Sequence, residues 1–148
     1  MKNIQRITES RISDIAHLFD AYRVFYKMDS DISASTVFLT ERISKGESIV
    51  FAAYHNERAV GFVQLYYTFS SVSLKKSLIL NDLYVDYEYR GNSIGKQLLL
   101  KAQNFCIREG YKGLALETAI DNPAQKLYEK LGWKKDYHCF HYFWQVKR

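Results

Sequence analysis

The sequence predicts an α/β fold, a mixed β-sheet of about seven strands flanked by about four helices, and three stretches carry that expectation. Leu78 to Val85 is a run rich in Ile, Leu, Val and Tyr. It passes through a small-residue loop into a helix whose apolar residues Ile94, Leu98, Ala102 and Phe105 recur at helical spacing. Gly113 to Thr118 then reads as another strand, and a strand–helix–strand return of this length requires a parallel pair with a right-handed crossover. Earlier, Ser48 to Tyr54 and Ala59 to Phe69 are apolar runs joined across His55-Asn56-Glu57-Arg58, which signals an antiparallel hairpin. Parallel and antiparallel pairs together make the sheet mixed.

Taken in order, Ile4 to Ile7 is a short first strand. From Ser13, a residue suited to an N-cap, Ile15, Leu18, Phe19, Tyr22, Phe25 and Tyr26 recur at three and four residues and predict an amphipathic helix ending in an aromatic cluster. A second helix is expected from Ser35 to Lys45, stopped by Gly46. The apolar hairpin follows, then a polar loop from Ser70 to Ser77, the strand and helix described above, and a stop at Gly110. After the Gly113 strand, Asn122-Pro123 starts a helix, because Pro suits the first helical position. Ala124, Leu127, Tyr128 and Leu131 mark its buried face and Gly132 caps it. Trp133 to Tyr137 and Phe140 to Val146 read as a closing aromatic hairpin.

Bulk properties narrow the class. At 148 residues the chain is expected to be one domain, residues 1-148, able to bury about two thirds of its unfolded surface without staples. Hydrophobic residues at 47% and charged residues at 25%, with one Pro and seven Gly, leave no room for a linker or low-complexity tail. No apolar run approaches the ~18 residues of a membrane span and no signal-peptide core opens the chain, so a cytoplasmic protein with no membrane partner is expected. Cys106 and Cys139 are too few for a disulfide framework. His138 and His141 flank Cys139, but in a strand they would alternate faces with no second ligand pair, so no metal is expected. The net charge of +5 suits a polyanionic cofactor or nucleic acid. Nucleic acid is set aside because no recognised motif occurs and the aromatics follow core periodicity.

The loop between the strand and its helix carries the most chemistry. The first turn of a helix presents unpaired amides and a partly positive dipole end, so an anion can dock there on backbone alone. Arg90 and Lys96 add charge. Lys96 is followed by Gln97 and no Gly opens a Walker A loop, while Gly91 and Gly95 are the only loop glycines, which excludes a Gly-x-Gly-x-x-Gly fingerprint. What remains, Arg90-x-x-Ser93-x-Gly95, resembles the acetyl-CoA loop of the GNAT superfamily of N-acetyltransferases, whose pattern is Gln/Arg-x-x-Gly-x-Gly/Ala. Ser93 replaces the first glycine; it is small and still offers its amide, but it bears a Cβ, and a strained backbone there would weaken pyrophosphate contact. Leu80-Asn81-Asp82-Leu83-Tyr84-Val85 resembles the family's cofactor strand, and Asn122 to Trp133 resembles its Asn-x-x-Ala-x-x-Leu-Tyr-x-x-x-Gly-Phe/Trp segment. Asn122 stands one residue closer to Tyr128 than the pattern has it. Tyr22-Arg23-Val24-Phe25-Tyr26 and Phe62 to Tyr66 are similar to a bacterial subgroup acting on small amines or protein amines.

The resemblance implies a set of roles. Acetyl-CoA is the expected co-substrate. Its pantetheine would pair with the edge of Leu83 and Val85, and its pyrophosphate would meet Arg90, Gly91, Asn92, Ser93, Gly95 and Lys96, with Asn122 also near the cofactor. The Leu83 amide would stabilise the developing oxyanion, and Tyr128 would protonate the departing thiolate. Asp82 is the first candidate base and Glu117 the second; Asn81 stands where some relatives have Glu, and an amide is no base. Tyr22, Arg23, Tyr26, Asn81 and Glu117 are the expected acceptor-binding residues. Direct attack on the thioester needs neither cysteine. The expected reaction is acetyl transfer to a primary amine, a small cationic one first and a protein amine as the alternative. A CoA-binding sensor without turnover is a third reading, and the aromatic stretch Phe140 to Trp144 suggests a homodimer contact.

Overall fold

The apolar spacing that begins near Ser13 produces helix α1 (Ile12–Phe25), entered through a 3₁₀ turn at Glu9–Arg11 rather than through a serine cap. In this computed structural model, which describes residues 3–147, Ile12, Ile15, Ala16, Leu18 and Phe19 form its buried face. Helix α2 (Ile32–Ser44) begins before the expected Ser35 because Asp31 takes the cap. Its carboxylate accepts the Ala34 amide at 2.9 Å and satisfies a donor of the first turn.

Strands β1 (Asn3–Arg6), β2 (Ser48–His55), β3 (Arg58–Ser70), β4 (Lys75–Val85) and β5 (Leu114–Ala115) form one sheet in that order. The first four are antiparallel and β5 joins β4 in parallel, so the sheet is mixed, as expected. Between β2 and β3, Asn56 and Glu57 both adopt positive φ (48° and 67°), the type I′ geometry whose twist matches that of the flanking strands.

Helices cover both faces. On one, Phe62 packs against Phe19 within a cluster that includes Ile15, Leu18, Leu39 and Val50. On the other lies α3 (Ile94–Arg108), where Phe105 meets Phe51 edge-on at 5.6 Å between centroids. Gly61 permits this approach: a Cβ there would stand 3.1 Å from the Tyr84 carbonyl oxygen and 3.3 Å from Ile94 Cγ2. Ile94, Leu98, Leu99, Ala102 and Phe105 are all buried. At about 1.5–3 kcal/mol for each large side chain buried, this face fixes α3, and hence the loop before it, against the sheet.

These elements lie in the first of two compact units, Met1–Glu117; the second is Thr118–Arg148. Within the second, the expected helix is shorter, α4 (Gln125–Lys130), because the Asn122 side chain accepts the Ala124 amide at 2.9 Å and holds residues 122–124 in a turn. Gly132 ends the helix as expected. At φ 95° its amide reaches the Glu129 carbonyl while the Trp133 amide reaches that of Tyr128, the paired bonds of a Schellman motif.

Two strand expectations are corrected. Gly113 to Thr118 narrows to the two residues of β5, and Trp133 to Tyr137 with Phe140 to Val146 form no strands, so the sheet has five strands among the described residues instead of about seven. The aromatic alternation of the tail fits a half-buried pleated surface, but β-propensity supplies no ladder partner. Phe140 is 90% exposed and Trp144 78%. None of the helices among the described residues is long and apolar enough to cross a membrane.

Candidate active site

Strand β4 changes its behaviour part-way along. At its start it is paired on both sides: the Leu78 amide donates to the Gly113 carbonyl at 3.0 Å, and β5 pairs with Leu78 and Ile79. Beyond Ile79 the register with β5 stops, and the β5-side edge of Leu80 to Val85 is left without a strand partner among the described residues. In the same stretch Leu80 pairs with Leu65 and Asp82 with Gln64, so Asn81 is an extra residue, a β-bulge.

The bulge reverses the strand's alternation. Before it, the even-numbered Leu78 sends its amide toward β5; after it, the even-numbered Asp86 sends its amide to the Val60 carbonyl on the β3 side, at 2.8 Å. Counting back from Asp86, the Leu83 and Val85 amides point away from β3, along the open edge. Side chains turn over in step. Leu78 pairs with Tyr67, whose ring reaches Tyr111 and through it Phe105 on the α3 face, whereas Asp82 pairs with Gln64 and lines a cleft under α1 and α2. One inserted residue therefore exposes two amide donors and delivers a carboxylate to the opposite side.

Below the open edge, a 3₁₀ turn at Tyr87–Tyr89 leads to α3. Asp86 starts the turn by accepting the Glu88 amide. Asn92 holds it with a bond from Nδ2 to the Tyr89 carbonyl at 3.1 Å. Arg90 folds back: its Nε donates to the Val85 carbonyl at 2.9 Å and its guanidinium lies over Tyr84 and Tyr87, 5.4 and 5.7 Å from the ring centroids. Gly91 has φ 81° and Ser93, at the helix N-cap, φ 60° and ψ 18°. Ser93 thus occupies the left-handed backbone that glycine adopts without strain. The Gln97 amide makes the helical bond to the Ser93 carbonyl, so the Ile94, Gly95 and Lys96 amides precede the first helical bond and face an incoming anion with the positive end of the dipole.

The cleft under α1 and α2 has a volume of about 350 Å³. Phe19, Tyr22, Phe38 and Tyr66 supply aromatic walls, and Arg23, Ser35, Asn81 and Asp82 supply polar groups. Asp82 is 3% exposed; one oxygen accepts from Gln64 Nε2 and the other from Asn81 Nδ2 at 2.9 Å. Burial pushes its carboxyl above the usual carboxylate range, while bonds from Gln64, Asn81 and Tyr22 pull it down. Burial, with the Asp82 charge added, pushes Tyr66 up to about 12 and Tyr22 far above its ordinary value, so both rings face the cleft as neutral phenols.

Of the expected acceptor residues, Tyr22, Arg23 and Asn81 line this cleft with Asp82. Tyr26 does not; it packs edge-on against Tyr22 at 5.0 Å. Glu117 lies exposed two residues past β5 and does not line the cleft either. Ser35 and Phe38 escaped sequence reasoning, while Tyr66 and the supporting Gln64 fall in the Phe62 to Tyr66 stretch, whose resemblance gives neither residue a role. Gln64 left a usable signal, a single polar residue inside the apolar run Val60 to Leu65. In the second unit, Tyr128 is half-buried on α4 with its ring 6.1 Å from Trp133, and Asn122 Nδ2 donates to Thr118 Oγ1 at 2.8 Å.

A strand with bare amides on one edge, running into an uncapped helix start and turning a carboxylate into a cleft, has the anatomy of a group-transfer enzyme with an anionic co-substrate. The family described as Acetyltransferase (GNAT) family matches residues 13–133, and the chain belongs to it: the protein is an N-acetyltransferase. It is 40% identical over 141 residues to the uncharacterized N-acetyltransferase YhfO of Bacillus subtilis (strain 168), covering 95% of each chain. It is 31% identical over 125 residues to a probable acetyltransferase of Haemophilus influenzae (strain ATCC 51907 / DSM 11121 / KW20 / Rd), covering 76% of this chain and 86% of that one. A crystal structure of a probable acetyltransferase superposes with a TM-score of 0.92 at 35% identity over 99% of both chains.

Proposed function

We propose that this acetyltransferase takes its acetyl group from acetyl-CoA and passes it to a small molecule bearing a primary ammonium, bound in the cleft under α1 and α2. The observation that carries the reading is the bulge at Asn81, which sets two outward amides beside a helix start and a buried carboxylate in the wall of an aromatic-lined cleft. A volume of about 350 Å³ is at the small end for ligand pockets, which favours a small acceptor over a protein segment.

Acetyl-CoA supplies an activated thioester. Leu83 and Val85 hold the pantetheine amides as a neighbouring strand would, and the amides of Gly91 to Lys96, with Arg90 and Lys96, hold the pyrophosphate. The Leu83 N–H donates to the thioester oxygen as charge develops on it, an effect worth about 3–4 kcal/mol at such donors. The amine arrives as its ammonium and must lose a proton before it attacks; Asp82 accepts it directly or through water. The nitrogen bonds the acetyl carbon, the carbon–sulfur bond breaks, and Tyr128 gives its hydroxyl proton to the departing thiolate.

Thermal shift with acetyl-CoA, followed by release of CoA thiol in the presence of amines, tests the assignment. A rise in Tm that saturates with acetyl-CoA and amine-dependent thiol release are expected. A Tm unmoved at millimolar acetyl-CoA rejects it. Tyr128→Phe keeps the ring and removes the donor, so kcat is expected to fall about 10²- to 10⁴-fold with acetyl-CoA affinity and Tm little changed. A kcat within about twofold of the parent removes Tyr128 from the mechanism.

A further inference from the structure

Transfer to an amine calls for one charged group in the cleft, and the cleft has two of opposite sign. Of the nine residues that line it, Asp82 and Arg23 are the charged ones. Arg23 is half-buried near the C-terminal end of α1, and none of the ion pairs among the described residues uses it. Its Nη1 makes one long bond, 3.3 Å, to the Asp29 carbonyl. Asp20, whose carboxyl is held down in part by the Arg23 charge, and Asp31 already accept hydrogen bonds from other donors. Asp20 accepts the Ser30 hydroxyl and the Asp31 amide, both at 2.7 Å, and Asp31 accepts the Ala34 amide. Neither Asp20 nor Asp31 lines the cleft.

A second feature on the same wall also favours a negative group. Ala34 and Ser35, from the beginning of α2, line the cleft, so the partly positive end of that 13-residue helix borders it. Ser35 is 2% exposed, and its hydroxyl has no hydrogen-bond partner, not even the carbonyl one turn back that a helical serine commonly uses. Buried hydroxyls are seldom left unpaired, and one on a cleft wall has a natural partner in a bound ligand.

We propose that the acceptor is an amino-acid-sized molecule carrying both a primary amine and a carboxylate, with the carboxylate held by Arg23 and the Ser35 hydroxyl and the amine turned toward Asp82. The apolar part of the molecule lies among the rings of Phe19, Tyr22, Phe38 and Tyr66. An arginine fork matches a carboxylate with two parallel hydrogen bonds, which fixes orientation as well as position. This inference rests on the small-amine reading above and adds the second recognition point.

The test pairs each amine with its carboxylated counterpart, L-phenylalanine against phenethylamine and an ω-amino acid against the alkylamine of the same length. kcat/KM is measured by thiol release with acetyl-CoA saturating. The carboxylated member of at least one pair is expected to be preferred by about tenfold or more, and Arg23→Gln is expected to collapse that preference by about 10- to 100-fold. Arg23→Lys, which keeps the charge but loses the fork, should restore part of it, and Ser35→Ala should lower it by a smaller factor; Tm confirms that each variant folds. Turnover confined to the carboxylate-free amines, or a preference that Arg23→Gln leaves unchanged, overturns this inference and leaves the small-amine reading standing. Turnover with none of them, while acetyl-CoA still raises Tm, overturns both.

Discussion

Asp82 is the residue at which stability and chemistry compete. Its ordinary pKa is 3.8 and burial raises it in the fold, so between those two values the native state holds a proton that the unfolded chain has released. Stability therefore falls as pH rises through that window, and above it the fold carries a buried charge at constant cost. Asp82→Asn removes the charge, and the Gln64 amide can turn so that its Oε1, which is buried without a partner, accepts from the new side chain. We expect this variant to melt at or above the parent temperature at pH 7, the difference shrinking as pH drops toward 4, while kcat/KM falls by about 10²- to 10⁴-fold. Melting curves and rates at three pH values check it, and an active variant that has lost stability would make Asp82 a structural ion. Ser93 presents the opposite case, a local strain without a packing role. Its φ of 60° suits glycine, so Ser93→Gly should raise stability by up to about 1 kcal/mol, a gain reduced by the entropy of the freer unfolded chain. Acetyl-CoA affinity should hold or improve, and a large loss of affinity on titration would give the hydroxyl a role of its own.

At the scale of elements, β4 makes the sharpest expectation. If the bulge turns the Leu83 and Val85 amides to the open edge, both should exchange with solvent deuterium much faster than the Tyr84 and Asp86 amides, which lie on the β3 side. Acetyl-CoA should then slow Leu83 and Val85 selectively. Equal protection of Leu83 and Tyr84 without ligand would mean that the alternation is not reversed. The same strand shows how far the sequence could be read. The strand, the helix after it and the loop between them were legible, because apolar periodicity and the Arg90 to Gly95 spacing are local signals. The bulge was not, since an extra residue becomes visible only against the partner strand, where Gln64 and Leu65 face Asp82 and Leu80. Ser35 and Phe38 were hidden for a related reason: helix periodicity names a face, and only packing says that this face borders a cleft. The aromatic tail misled in the other direction, with strand-like composition and no ladder to join.

For the molecule as a whole, that tail is the feature left without a packing account. Tyr137, Phe140, Tyr142, Phe143 and Trp144 are each at least 77% exposed, a concentration of exposed aromatic side chains within one short stretch. We propose that it is covered in a homodimer, and light scattering should then give twice the chain mass, reverting toward one chain mass in a Phe140→Ser, Trp144→Ser double variant. A single chain mass at every working concentration rejects the dimer. The bulge has a further consequence, for how such an enzyme can diverge. Substitutions on the cleft walls, at Ser35, Phe38 or Tyr66, can retune acceptor choice one side chain at a time. Loss of a single codon at Asn81 would instead exchange the two faces of β4 downstream of it, withdrawing the amide donors and the carboxylate in one step. In this strand the length of the gene is constrained more tightly than its spelling.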